Sequence, residues 1–255
     1  MQTHHLATKL KALRLGGMLD SLETRLEQAQ HDNHGYLVFL EWLLEDDIQR
    51  RNQKALAMRV KKARFDEVKS LAEFDFRYNS KIPAEMIRDL ATCGFVERAE
   101  SVVICGPVGV GKSHVAQAIG HAACQRGYSV RYVKTSRMLG DLAGGRIAGN
   151  WEQRLHAYVS PDLLILDDFG LRDFDARNSE DLFELVCERH LKHSTVVASN
   201  RPTQEWYALF ANPVLAEGAL DRLINSSHCI LMDGRSHRAR GRPGRAQGGE
   251  PDGLA

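Results

Sequence analysis

Val102-Val103-Ile104-Cys105-Gly106-Pro107-Val108-Gly109-Val110-Gly111-Lys112-Ser113-His114-Val115 is the stretch on which the fold turns. Four apolar, mostly β-branched residues form a strand, the next eight match G-x-x-x-x-G-K-[ST], and the run HVAQAIGHAA that follows is helical. Strand, glycine turn and helix in that order make a phosphate-binding loop. Glycines let the backbone curl until its N–H groups converge on phosphate, and the helix start adds the positive end of a dipole. The pattern assigns nucleotide contact to Gly106, Pro107, Val108, Gly109, Val110, Gly111, Lys112, Ser113 and His114. Lys112 is expected to reach the β- and γ-phosphates of ATP, and Ser113 to hold Mg²⁺ through its hydroxyl.

Further along, Leu163-Leu164-Ile165-Leu166-Asp167-Asp168 reads as a buried strand that delivers two carboxylates to the carboxyl edge of a parallel sheet, where ligands bind. Asp167 is expected in the Mg²⁺ shell and Asp168 as the group that orients or activates the attacking water. A third strand, Thr195 to Ser199, ends at Asn200-Arg201-Pro202. Asn200 is placed to hydrogen-bond that water or the γ-phosphate, although an asparagine before Arg-Pro is also an ordinary turn former.

Around these strands, short β-branched runs alternate with helical patterns, the form of a parallel α/β sheet, with further strands at Ser129–Lys134 and His228–Met232. The first third differs. Leucines at 6, 10, 13, 19, 22 and 26 suggest one helix, kinked at Gly16-Gly17, and the proline- and glycine-free stretch from Tyr36 to about Phe65 reads as a long helix that begins buried and ends basic. The expected organisation is a helical domain at 1–68, an ATPase domain at 69–234 and a basic tail at 235–255, too poor in apolar residues to fold alone.

With 255 residues, 43% apolar and 26% charged, the chain can bury a full core. Five cysteines without a C-x-x-C pair indicate neither a disulfide framework nor a zinc site. No run of about 18 apolar residues suggests a membrane span, so a cytoplasmic protein is expected. The net charge of +1 hides a cluster: Arg50, Arg51, Lys54, Arg59, Lys61, Lys62 and Arg64 fall within fifteen residues that hold no acid. On a helical wheel Arg50, Lys54, Lys61 and Arg64 share one face, flanked by Arg51 and Lys62, while Leu56 and Val60 lie opposite. Such a face can neutralise phosphates of duplex DNA without reading bases; a merely solvated amphipathic face is the plainer alternative. Tyr36, Phe39 and Trp42 read more simply as packing than as base-stacking groups.

On the LKALRLGGML helix, the FDFRYNSKIPAEMIRDLATCGFVERAESVVICGPVGVGKSHVA block, DLLILDDFG, VVASNRP with EWY, and DRLINSSH, the chain from about residue 5 to 238 resembles the IstB-like ATPases. These are helper proteins of a bacterial insertion-sequence family, related to the DnaC helicase loaders in the initiator branch of the AAA+ ATPases. The resemblance implies an α/β AAA+ core with a central parallel sheet, a small N-terminal helical domain and a truncated lid, since only 55 residues follow Asn200. It also implies ATP and Mg²⁺ as cofactors, a homo-oligomer on duplex DNA, and a cognate transposase as partner, with no membrane. Arg222 falls where the family's arginine finger acts across a subunit boundary; a surface arginine paired with Asp221 or Glu217 is the alternative. Residues 135–161 resemble the helical insertion of the initiator branch. Ser236-His237-Arg238 looks like the family's Ser-Tyr-Arg with histidine for tyrosine, so a nucleotide contact by Arg238 is weakly implied.

The function expected is a DNA-stimulated ATPase that oligomerises on duplex DNA, selects or remodels a target, and recruits or stimulates a transposase. A replicative helicase loader shares the same core. A small-molecule kinase would need an acceptor pocket and a closing lid, of which the sequence gives no sign, and a DNA-binding module without hydrolysis would have no use for Lys112, Ser113, Asp167 and Asp168 together.

Overall fold

The structure, a computed structural model, describes residues 2–79 and 81–237. The chain divides into two compact units, 1–59 and 60–255. The division falls inside a helix, ahead of the boundary at 68 that the change in sequence character suggests.

In the first unit, α1 (Gln2–Ala12) and α2 (Gly16–His31) precede α3 (Tyr36–Ala63), whose last residues belong to the second unit. The single kinked helix read from the leucines is in fact two. The break comes at Leu13–Leu15, where Arg14 adopts a left-handed φ of 58°. The glycine pair opens α2 and serves close approach: a Cβ on Gly17 would lie 2.3 Å from the Asp47 Cα of α3. The Gly17 N–H donates to Asp47 Oδ1 at 2.8 Å. Leu10, Met18, Leu22 and Leu43 form a small core, each contributing about 2 kcal/mol of burial. Beside it Arg25 grips Asp46 with two 2.8 Å hydrogen bonds while stacking on Trp42. Those bonds, with help from Ser21, hold the Asp46 carboxyl down at about 2.

The second unit opens with α4 (Ala84–Leu90) and the short α5 (Gly94–Glu97), then β1 (Ser101–Cys105), α6 (Lys112–Gln125) and β2 (Val130–Lys134). There follow α7 (Thr135–Ala148), α8 (Trp151–Val159), β3 (Leu163–Phe169), α9 (Ala176–Arg189), β4 (Ser194–Ser199), α10 (Pro213–Asn225) and β5 (Ser227–Leu231). All five expected strands are present. They form one parallel sheet in the order β2-β3-β4-β1-β5. Strand alternation sends Val102, Ile104, Ile165 and Val196 one way and Val103, Leu164, Leu166 and Val197 the other, and both sets are buried. The second set packs with α7 to α10 in the principal core. On the first side lies α6, where a Cβ on Gly120 would lie 2.5 Å from the Ile165 side chain.

A buried guanidinium closes the lower edge of this unit. Arg189, 2% exposed, donates to the carbonyls of Tyr158, Val159, Pro161 and Ser194 and to Thr195 Oγ1, satisfying the end of α8 and the starts of the neighbouring strands. Burial pulls its pKa down to about 9, which leaves it cationic at neutral pH.

Of the expected basic tail, residues 235–237 are described. Its first residues pack against the fold: Asn79 Nδ2 donates to the Arg235 carbonyl while Asn79 Oδ1 accepts from the Arg235 N–H, and Tyr78 donates to the Ser236 carbonyl. Arg238, Arg240, Arg242, Arg245 and the remainder lie outside the described residues. None of the described helices is long and apolar enough to cross a membrane.

Candidate functional site

Because the sheet is parallel, β1, β3 and β4 deliver their carboxyl ends to one edge, and a cleft of about 900 Å³ opens there. Gly109, Gly111, Lys112 and Ser113 line it together with Asp167, Asp168 and Asn200. The residues expected to act on the phosphates are thus brought to one place from three strands.

The turn between β1 and α6 takes its form from Gly106, Gly109 and Gly111 at φ of 154°, 87° and 104°. Two of these glycines also make room for neighbours: a Cβ on Gly106 would stand 2.0 Å from the Met232 carbonyl oxygen, and one on Gly109 2.0 Å from Ser236 Oγ. Val110 is buried, so its side chain anchors the loop and only its backbone is available to a phosphate. Lys112, first residue of α6, places its ammonium 2.7 Å and 2.8 Å from the carbonyl oxygens of Gly106 and Pro107. His114 lines the cleft but its ring is engaged by the Ser70 carbonyl at 3.0 Å and by Phe74 edge-on. It forms wall more than cradle.

Two segments that enter the sequence reading only through the family resemblance, those of Phe74 and His237, complete the wall. Phe74, after the 3₁₀ turn Leu71–Glu73, sits where a Cβ on Gly111 would approach within 2.6 Å. His237 comes from the other side, its N–H bonded to the Gly109 carbonyl at 2.9 Å and its ring 4.0 Å from that of Tyr78. Around Phe74 the aromatic spacing in Phe74-Asp75-Phe76-Arg77-Tyr78 has the period of a strand yet belongs to a loop.

At the end of β3 the two acids are distinguished by backbone. Strict alternation would send consecutive residues to opposite faces, but the pairing of β3 with β4 shifts between Leu166 and Phe169, and Asp168 takes a left-handed φ of 54°. Aspartate is among the few side chains that tolerate this region. The Asp167 carboxylate is 3% exposed and accepts from the Tyr132 hydroxyl at 2.7 Å and from the Asp168 N–H at 3.0 Å. Asp168 is more open, with the Lys134 ammonium 3.5 Å from its Oδ2. Lys134 also lies 3.8 Å from Asp66, just beyond the end of α3. Tyr132, Lys134 and Asp66 are site residues that motif reading missed; only their place at strand and helix ends could have hinted at them.

Ser113, Asp167 and Asp168 offer hydroxyl and carboxylate oxygens, the hard donors Mg²⁺ prefers. Among the described residues no group of three His, Cys, Asp or Glu side chains could hold a metal by itself. That suits an ion completed by phosphate oxygens, and the donor set fits a nucleotide-borne Mg²⁺.

Arg222 lies elsewhere. It is on the last turn of α10, which leads into β5, and Ser227 of β5 pairs with Ser101 at the start of β1. The cleft begins beyond Cys105, four residues or about 13 Å along the sheet at ~3.3 Å per residue. Its Nη1 donates to the Gly218 carbonyl of its own helix, so neither Asp221 nor Glu217 is the partner that holds it there.

The basic cluster is partly compensated. Arg50 pairs with Asp20 at 3.0 Å and Arg51 with Asp47 at 2.6 Å, acids that the sequence window around them did not contain. Arg64 follows the end of α3 with φ of 58° and therefore leaves the helical face assigned to it. Lys54, Lys61 and Lys62 are exposed on the helix, and Arg59 is half-buried.

A five-stranded parallel sheet in this order, with a phosphate loop after β1 and paired acids after β3, defines a P-loop nucleotide-binding protein of the AAA+ type. The fold agrees with solved structures: the DnaC helicase loader matches 68% of this chain and 98% of its own at a TM-score of 0.52 and 18% identity. AMPPCP-bound DnaA from Aquifex aeolicus matches 66% of this chain and 51% of its own, at 0.55 and 20%. The chain belongs to the family described as IstB-like ATP binding protein, whose model matches residues 8–244. An ATP-binding protein in an insertion sequence of Mycobacterium tuberculosis is 50% identical over 94% of this chain and 96% of its own length. That of the insertion sequence IS21 from Pseudomonas aeruginosa is 33% identical over 92% and 89%.

Proposed function

We propose that this protein is an ATPase that works with an insertion sequence, assembling head to tail on duplex DNA and using ATP hydrolysis to switch the assembly that recruits or stimulates a transposase. The observation that carries the reading is the convergence of Lys112, Ser113, Asp167, Asp168 and Asn200 on one cleft. The names of the relatives supply the insertion-sequence context.

In this reading the loop N–H groups and Lys112 hold the triphosphate. Mg²⁺, held by Ser113 and Asp167, would neutralise charge on the phosphates. Asp168 orients the attacking water and draws its proton as the new bond to the γ-phosphorus forms and the bond from that phosphorus to the bridging oxygen breaks, ADP leaving with that oxygen, and Asn200 hydrogen-bonds the water or the γ-phosphate. Phe74 and His237 narrow the mouth of the cleft. Arg222 cannot serve its own cleft from the opposite sheet edge, which supports a role at the cleft of a neighbouring subunit. Lys54, Lys61 and Lys62 supply the DNA-facing charge, so binding is salt-sensitive and indifferent to base sequence.

Nucleotide binding and phosphate release, each with and without duplex DNA, test this reading. Lys112→Ala should abolish binding, whereas Asp168→Asn should keep binding and hold the ATP-bound assembly. Wild-type turnover in both variants would remove the mechanism. Preference for single-stranded DNA with capture of a replicative helicase would instead establish the loader reading, which the DnaC likeness keeps in view.

A further inference from the structure

The Tyr132 hydroxyl stands between two carboxylates. It is 2.7 Å from Asp167 Oδ2 and 3.3 Å from Asp66 Oδ2, and the ring around it is 3% exposed. A phenol has one proton to give, and the shorter contact receives it. The phenol donates to Asp167 from inside the fold. Its partner Asp167 is the acid assigned to Mg²⁺, and fixing one oxygen of a ligating carboxylate leaves the other lone pairs aimed in a defined direction.

Asp66 brings a second element into this contact. It follows α3 by three residues, and the segment it begins is seated on the phosphate-loop helix at successive points. Phe65 lies against Gly120, where a Cβ would come within 2.8 Å of its ring, and the Glu67 N–H donates to Gln117 Oε1 at 3.0 Å. Gln117 in turn donates to the Ser113 carbonyl. The end of α3 leads directly into Asp66, so the seat of this segment bears on where the Asp66 carboxylate stands against Tyr132.

We infer that Tyr132 is a positioning residue for the Asp167 carboxylate, and that Asp66, competing for the same hydroxyl, makes this positioning answer to the seat of α3. The inference rests on the proposed nucleotide site. It adds a route by which DNA held on the basic helix would reach the metal side of the cleft.

The test measures ATP affinity in EDTA and the Mg²⁺ concentration giving half-maximal tightening of ATP binding, on the full chain. Tyr132→Phe should raise the Mg²⁺ requirement about tenfold and leave affinity in EDTA within about twofold of wild type. Asp66→Asn should shift the Mg²⁺ requirement in the wild-type background and have no effect in the Tyr132→Phe background, as a path through the hydroxyl demands. An unchanged Mg²⁺ requirement in Tyr132→Phe, or an equal loss with and without Mg²⁺, overturns the positioning role. Equal effects of Asp66→Asn in both backgrounds, or none in either, overturn the link to α3. If wild-type protein itself shows no Mg²⁺-dependent ATP binding, the nucleotide-site reading fails instead, so the two failures are distinguishable.

Discussion

Mixing two inactive variants gives the sharpest check on the separation of Arg222 from its own cleft. Lys112→Ala destroys the cleft, and Arg222→Ala removes the group proposed to complete a neighbour's cleft; each alone should lower DNA-stimulated hydrolysis by about 10³-fold or more. Arg222 lies on the last turn of α10, which leads into the start of β5, and the cleft lies past the end of β1, so the two lesions fall toward opposite edges of the sheet. In an equal mixture, a boundary is intact when the Arg222→Ala subunit gives the cleft and the Lys112→Ala subunit gives the arginine. With random mixing that describes about one boundary in four, so activity should recover to about a quarter of wild type. The assay is phosphate release at constant total protein while the ratio is varied. The expected curve is an arch with its maximum at equal amounts. A flat line at the level of the single variants would refute the arrangement across subunits.

Replacing the exposed Lys54, Lys61 and Lys62 together by Glu should weaken duplex binding and reduce the slope of log affinity against log salt by about 3, read by titration at several salt concentrations. Arg50 is left out of that set because it is paired with Asp20. Arg189→Met should cost about 3 to 5 kcal/mol in denaturant unfolding, because four carbonyls and a threonine hydroxyl lose their donor inside the fold. Asp46→Asn should cost about 1 kcal/mol at neutral pH. Since Asp46 has a folded pKa of about 2 against 3.8 unfolded, that difference should be full above pH 4 and vanish as pH falls through 2, as followed by thermal melts across the range.

The α/β half of the chain was legible because its strands are buried on both faces and so read as unbroken apolar runs, each ending in a residue with chemistry to do. Strand ends at Cys105 and Ser199 followed from that pattern, β3 runs two residues past the expected Asp167 to Phe169, and these ends place Lys112, Asp167, Asp168 and Asn200 at one edge. Contacts between residues far apart were not legible. Asp20 and Asp47 compensate Arg50 and Arg51 from outside the basic window, and Gly16-Gly17 looked like a breaker because close packing of α2 on α3 leaves no trace in local periodicity. Arg14, not glycine, takes the left-handed conformation that ends α1. Tyr132 belongs to the core by burial. Its hydroxyl gains meaning only when β2 is laid beside β3. His237 falls within the expected basic tail at 235–255, and its backbone N–H is bonded to the Gly109 carbonyl of the phosphate loop.

If Arg222 completes a neighbour's cleft as proposed, a subunit whose socket and plug sit at opposite ends has a front and a back. Repeating one such contact yields a row of arrows. Closed into a ring, every socket is filled; left open, one terminus holds a socket nobody fills and the other a plug with nowhere to go. Identical chains would then age at different rates according to their place in the row, and an open row would have a clock at one end only.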